Sequence, residues 1–132
     1  MGALQATSLL IRDKCDILIH INVNVNKSIP AYDRIRAFQA TCEEYHVPYD
    51  IDLSVDGDSY HEILNVIREI FNKIEAKYPN QKKGIFLAND TYANMFLNLI
   101  FQKYGKLPPT YEIIGFDNSP IASESILPIT TV

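Results

Sequence analysis

The chain holds two cysteines in 132 residues, Cys15 and Cys42. Two thiols cannot build a disulfide framework, so a reducing cytoplasm is the simpler expectation. Long apolar runs are missing as well. None approaches the roughly 20 residues that cross a bilayer, which excludes a spanning helix. The N-terminal apolar stretch has no basic residue before it and does not read as a signal peptide. Positive charge is scarce: twelve Lys plus Arg face sixteen Asp plus Glu, a net charge of −4. The only basic doublet is Lys82-Lys83. A nucleic-acid surface needs clustered cations, so this chain by itself is not expected to bind one. There is no G-x-G-x-x-G after the first apolar run and no G-x-x-x-x-G-K-[ST], so dinucleotide and P-loop chemistry drop out. His20, His46 and His61 lie on different segments without partners at ligand spacing. Neither a metal nor a cofactor is implied.

What is present is ordinary in amount and informative in order. Hydrophobic residues make up 47% and charged ones 21%, the composition of one globular domain. Two hydrophobic periods alternate along it. Leu4, Leu9, Leu10 and Ile11 fit a short opening helix ending near residues 12–14. Ile17 to Ile21 is a β-branched run, read as a strand buried on both faces. Ile35, Phe38, Cys42 and Tyr45 recur at helical spacing over residues 33–45. Tyr49, Ile51 and Leu53 alternate with Asp50 and Asp52, which predicts an edge strand with its acids turned outward. Ser59 and Glu62 make a capping box ahead of Ile63, Ile67, Ile70 and Ile74. Ile85 to Ala88 is another short strand. Asp90 can cap a helix reaching Tyr104, with Gly105 placed to end it in a left-handed conformation. Ile113 to Phe116 and Ile129 to Val132 complete the series as strands.

Strands separated by helices imply parallel pairing with right-handed crossovers. The expected fold is α/β, a doubly wound parallel sheet. With the acid-alternating strand at an edge, the flavodoxin-like order 2-1-3-4-5 follows, and its switch point falls between the first and third strands. Ligands bind such sheets at the carboxyl ends of the strands near that point. Three loops bring polar groups there: Asn22 through Asn24, Asn26, Lys27 and Ser28 to Asp33 and Arg34; Asn89-Asp90; and Asp117-Asn118-Ser119. Carboxylate, carboxamide and guanidinium together suit vicinal hydroxyls or a small polar ring. Plainer roles compete: helix capping for Asp90, turn chemistry for Asn89, Asn118 and Ser119, and Arg36 as a rival to Arg34. A phosphorylatable receiver would need acids after the first strand, where Asn22-Val23-Asn24 stands instead.

Several segments resemble the lactose-repressor and galactose-repressor family. Lys83-Gly84-Ile85-Phe86-Leu87-Ala88-Asn89-Asp90-Thr91-Tyr92-Ala93 is similar to its "ANDxxA" strand-to-helix signature. Leu107-Pro108 followed by Tyr111 to Asn118 is similar to "VP-x-D-I-x-V-x-G-F-D-[DN]", and Pro128 to Val132 to "P-x-L-T-T-V". Arg34-Ile35-Arg36-Ala37-Phe38 fits "R-x-x-G-F" with Ala37 in place of Gly, and Gly2 to Leu10 resembles the helix that enters the second lobe. The resemblance implies that residues 1–132 form the C-terminal lobe of a periplasmic-binding-protein-like effector domain, with the DNA-binding head and first lobe absent. It also implies that Arg34, Asn89 and Asp117 contact a small-molecule effector, most simply a sugar, and that Phe116 takes the family's aromatic position. Met95 replaces a usual Gly. The stretch Leu53 to Gly57 lacks the family's stacking aromatic, which leans against a purine.

The function so implied is effector binding in a cytoplasmic transcriptional repressor. Closure of two lobes would control DNA binding through the missing N-terminal domain, without enzymatic activity. The alternatives are a periplasmic-type sugar receptor and, from another class, an enzyme on the same fold using Asp117 or Asp90 as acid or base. A homodimer is expected as well. Met95, Phe96, Leu99, Ile100 and Phe101 cannot all face one sheet, so some of them are expected in a dimer contact or an exposed apolar patch.

Overall fold

The computed structural model describes residues 3–23, 29–115 and 129–131. Helix α1 (Ala3–Arg12) leads into strand β1 (Ile17–Val23), then α2 (Ile29–Glu44), β2 (Tyr49–Val55), α3 (Tyr60–Lys77), β3 (Lys83–Leu87), α4 (Asp90–Tyr104), β4 (Tyr111–Gly115) and β5 (Ile129–Thr131). The sheet order is β2-β1-β3-β4-β5. Every neighbouring pair runs parallel. The doubly wound sheet and its order are as expected.

Alternation along the central strands divides the core into two layers. Ile17, Ile19 and Ile21 of β1, with Ile85 and Leu87 of β3, pack beneath α3 and α4 on Ile67, Ile70, Phe71, Ile74 and Phe96. Leu18 and Phe86 point the other way, onto Leu10 of α1 and Phe38 and Cys42 of α2. Full burial of each such side chain contributes about 1.5–3 kcal/mol, so the two apolar faces of the sheet hold both helix pairs in place.

Local signals explain the helix ends. Ser59 Oγ accepts from Glu62 N at 3.2 Å, while Glu62 Oε2 accepts from Asp58 N at 2.7 Å. The capping box is therefore present, with the carboxylate reaching one residue further back than the motif suggests. Gly105 adopts φ +71°, and its N–H closes α4 on Phe101 O at 2.8 Å. The N-cap of α4 is Asn89 rather than Asp90: extended backbone at Asn89 lets Oδ1 accept from Tyr92 N at 2.9 Å. Asp90 is instead the first helical residue, where the positive end of the helix favours its charge.

Two further expectations need correction. β2 is an edge strand, yet Asp50 is buried against α3, where Tyr78 Oη and Lys77 Nζ donate to Oδ2 at 3.0 and 3.4 Å. The strand also carries a register slip, since Ile19 pairs with Asp50 but Ile21 with Leu53. That extra residue puts Val55 in the α3/α4 layer although Tyr49 and Ile51 lie against the α1/α2 layer. In α4, Met95, Phe96, Leu99 and Ile100 are all buried within the chain, and Phe101 is partly buried against the same core. No exposed apolar patch results from these five residues.

Candidate functional site

The carboxyl ends of β1 and β3 meet at the switch point, where Ala88 N donates to Ile21 O at 2.9 Å. Arg34 reaches this point from the first turns of α2. Its Nη1 donates to Ala88 O at 2.8 Å, the carbonyl immediately before Asn89. Partial burial lowers the Arg34 pKa, but a guanidinium stays charged at any physiological pH. One hydrogen bond thus fixes the arginine fork beside the strand end. Asn89 follows directly in sequence, its Oδ1 engaged by the Tyr92 amide and its Nδ2 the part of the side chain suited to donate to a ligand. Two of the three expected contacts, Arg34 and Asn89, are therefore brought together. Asp117 lies outside the described residues, as do Phe116, Asn118, Ser119 and the loop residues Asn24, Asn26, Lys27 and Ser28.

The rim and the helix behind it are tightly joined. A Cβ on Gly115, at the end of β4, would lie 2.5 Å from Asp90 Oδ1 and 3.0 Å from Ala93 Cβ. Only glycine lets the first turn of α4 sit this close to the strand.

Two residues of this neighbourhood were not among the expected effector contacts. Asn22 belongs to β1 rather than to the loop after it, and is 1% exposed. Its Oδ1 accepts from Ser54 Oγ at 2.8 Å. His20 is 0% exposed, its ring stacked on Phe86 at 4.6 Å and near Phe38 at 5.5 Å. Its Nδ1 lies 2.8 Å from Phe86 O. A carbonyl only accepts, so Nδ1 carries the proton and Nε2 is left as a lone pair. Burial pushes the His20 pKa down to about 4, the Phe86 carbonyl opposes this, and the Arg34 charge adds to the lowering. His20 is thus a neutral imidazole. The signal available in the sequence was a pair of polar residues two apart, on one face of an otherwise apolar strand.

Among the described residues, no three His, Cys, Asp or Glu side chains gather in a group that could hold a metal ion. Lys83, half of the basic doublet, is buried, with Nζ donating to Tyr78 O and Gln81 O at 2.9 and 3.0 Å.

A parallel sheet of order 2-1-3-4-5, with a guanidinium and a carboxamide set at its switch point, is the architecture of a small-molecule-binding lobe. The chain belongs to the periplasmic binding protein-like domain family, whose model matches residues 10–132. Among curated relatives, the ribose operon repressor of Halalkalibacterium halodurans is 27% identical over 133 residues, covering 99% of this chain and 37% of that protein. A LacI-family transcriptional regulatory protein from Corynebacterium glutamicum is similar in structure, with a TM-score of 0.73 and 26% identity over 98% of this chain and 50% of that one. A periplasmic binding protein/LacI transcriptional regulator from Alkaliphilus metalliredigens, solved with D-xylulofuranose, matches with a TM-score of 0.74 and 23% identity over 98% of this chain and 46% of its own. The resemblance to the lactose-repressor and galactose-repressor family is borne out by these relatives. The chain spans half or less of the length of each.

Proposed function

We propose that this chain is the C-terminal effector-binding lobe of a sugar-responsive transcriptional repressor, and that its effector is a small polyhydroxylated molecule of the pentose class. The observation that carries the reading is Arg34, held on the Ala88 carbonyl beside Asn89 at the switch point. A planar fork fixed in this way can take a ring oxygen and a hydroxyl together, and the Asn89 amide supplies a further donor. Asp117 completes the set by accepting from two hydroxyls. The names of two relatives, a ribose operon repressor and a regulator solved with D-xylulofuranose, support a pentose over a purine.

The mechanism is a population shift. An effector clamped between this lobe and a second one favours the closed arrangement by as much as its affinity for that state exceeds its affinity for the open one. Closure then changes the spacing of paired DNA-binding heads, carried outside this chain on a homodimer in the cytoplasm. Among the described residues, no helix is long and apolar enough to cross a membrane. No turnover chemistry is assigned to the site.

Calorimetric titration with D-ribose, D-xylulose and related pentoses tests this reading. A protein carrying both lobes should bind one of them. The isolated lobe should give little heat, because half of the contacts are missing. Tight binding by the lone lobe, or no binding by the two-lobed protein, would overturn the proposal.

A further inference from the structure

We infer that His20 and Asn22 form a hydroxyl-recognising pair on the inner wall of the effector site, discriminating a sugar from its deoxy counterpart; this inference rests on the effector-binding reading above. Both residues belong to β1 and share the face turned to α1 and α2. Both are buried, and each keeps one polar atom without a hydrogen-bond partner among the described residues: Nε2 of His20 and Nδ2 of Asn22. Buried polar atoms are nearly always paired, so two such atoms on one strand face mark a place where a polar group belongs.

The two atoms are complementary. His20 Nδ1 donates to the Phe86 carbonyl, so Nε2 can only accept. Asn22 Oδ1 takes the Ser54 hydroxyl, so Nδ2 can only donate. A hydroxyl is the small group that gives a proton to the first and receives one from the second through a single oxygen. A carboxylate would meet the Nε2 lone pair and an ammonium would meet the Nδ2 protons, so both are disfavoured. Residues two apart on a strand are about 7 Å apart at Cα, a span that one oxygen can bridge between side chains. Ser54, which lies on Asn22, is exposed, and Arg34, whose charge acts on His20, is only partly buried. The hydroxyl enters from the carboxyl rim between them. Arg34 and Asn89 then hold one side of the sugar while His20 and Asn22 read a hydroxyl on another.

The test is nitrogen NMR on a two-lobed protein labelled with nitrogen-15 at histidine, arginine and asparagine, titrated with D-ribose, D-xylulose and singly deoxygenated analogues. The His20 Nε2 resonance should move upfield as it accepts a hydrogen bond from the sugar, and at least one deoxy analogue should bind without moving it. In a two-lobed protein, His20→Phe keeps a flat ring between Phe38 and Phe86. It should narrow the affinity ratio between sugar and deoxy analogue by about 3- to 10-fold, the effect of one lost hydrogen bond. If sugar moves the Arg34 and Asn89 side-chain resonances but leaves His20 Nε2 unchanged, the pair holds a fixed internal water and the inference fails while the effector site stands. If no sugar in the panel moves any of the three, the functional reading fails first. Should His20→Phe not fold, the wild-type nitrogen titration decides alone.

Discussion

The capping role of Asn89 is separable from its proposed effector contact, and substitution divides the two. Its Oδ1 caps α4 through the Tyr92 amide at 2.9 Å, while its Nδ2 is assigned to the effector. Asn89→Ala removes both. Loss of a cap costs about 1 kcal/mol, which in a domain of this size lowers the melting temperature by about 3–5 °C. Asn89→Asp keeps an acceptor for Tyr92 N and adds negative charge at the positive end of the helix, a gain of about 0.3–1 kcal/mol. Its melting temperature should equal or exceed that of the wild type. The aspartate cannot donate, however, so effector affinity should fall by about 0.5–1.5 kcal/mol, roughly 2- to 13-fold. The assay pairs thermal unfolding of the chain with calorimetry on the two-lobed protein, using the pentose that binds it. If Asn89→Asp melts as low as Asn89→Ala, the capping argument is wrong. If it binds sugar as the wild type does, the amide is no contact.

Two other perturbations have worked signs. The folded His20 pKa is near 4 against an ordinary 6.5, so below 6.5 the unfolded chain takes a proton that the folded one refuses. Stability should therefore fall as pH drops from about 6.5 to 4, by about 3 kcal/mol in full, and His20→Phe should flatten that slope in urea unfolding at stepped pH. Glu112 has the opposite sign: burial and the hydrogen bond with Asp13 raise its pKa from 4.5 to about 7, so stability should fall as pH rises through that window. Glu112→Gln should remove this loss and expose the His20 slope; a profile unchanged in both variants would refute the assignment. Gly115→Ala forces a methyl to within 2.5 Å of Asp90 Oδ1 and should destabilise by about 1–3 kcal/mol in denaturant unfolding. A wild-type midpoint would show that the strand and helix do not meet as closely as described.

The parallel order and both helix layers were legible because β-branched runs and helical periods alternate with little ambiguity. The position of Arg34 and Asn89 at the strand ends was legible because the switch-point rule names those ends before any side chain is placed. The cap of α4 was not, since Asn and Asp are equally good caps and only the extended backbone at Asn89 selects between them. Asp50 looked solvent-facing because alternation within β2 cannot show that Tyr78, 28 positions on, returns to cover it. The slip beside it breaks the very period on which the reading relied. Helix α4 looked too apolar for one sheet, but Phe71 of α3 packs on Phe96 and covers what the sheet does not. His20 and Asn22 were hidden for a related reason. A polar pair inside an apolar strand has meaning only once its partners are counted.

The central claim is that the carboxyl ends of these strands bind the effector. It is tested most directly by Asp117→Asn in the two-lobed protein, with effector affinity and thermal unfolding measured side by side. Affinity should fall by about 1–3 kcal/mol while the melting temperature stays unchanged, as expected for a lost hydrogen bond to a charged group. A lowered melting temperature with affinity intact would make Asp117 a structural turn residue and contradict the assignment.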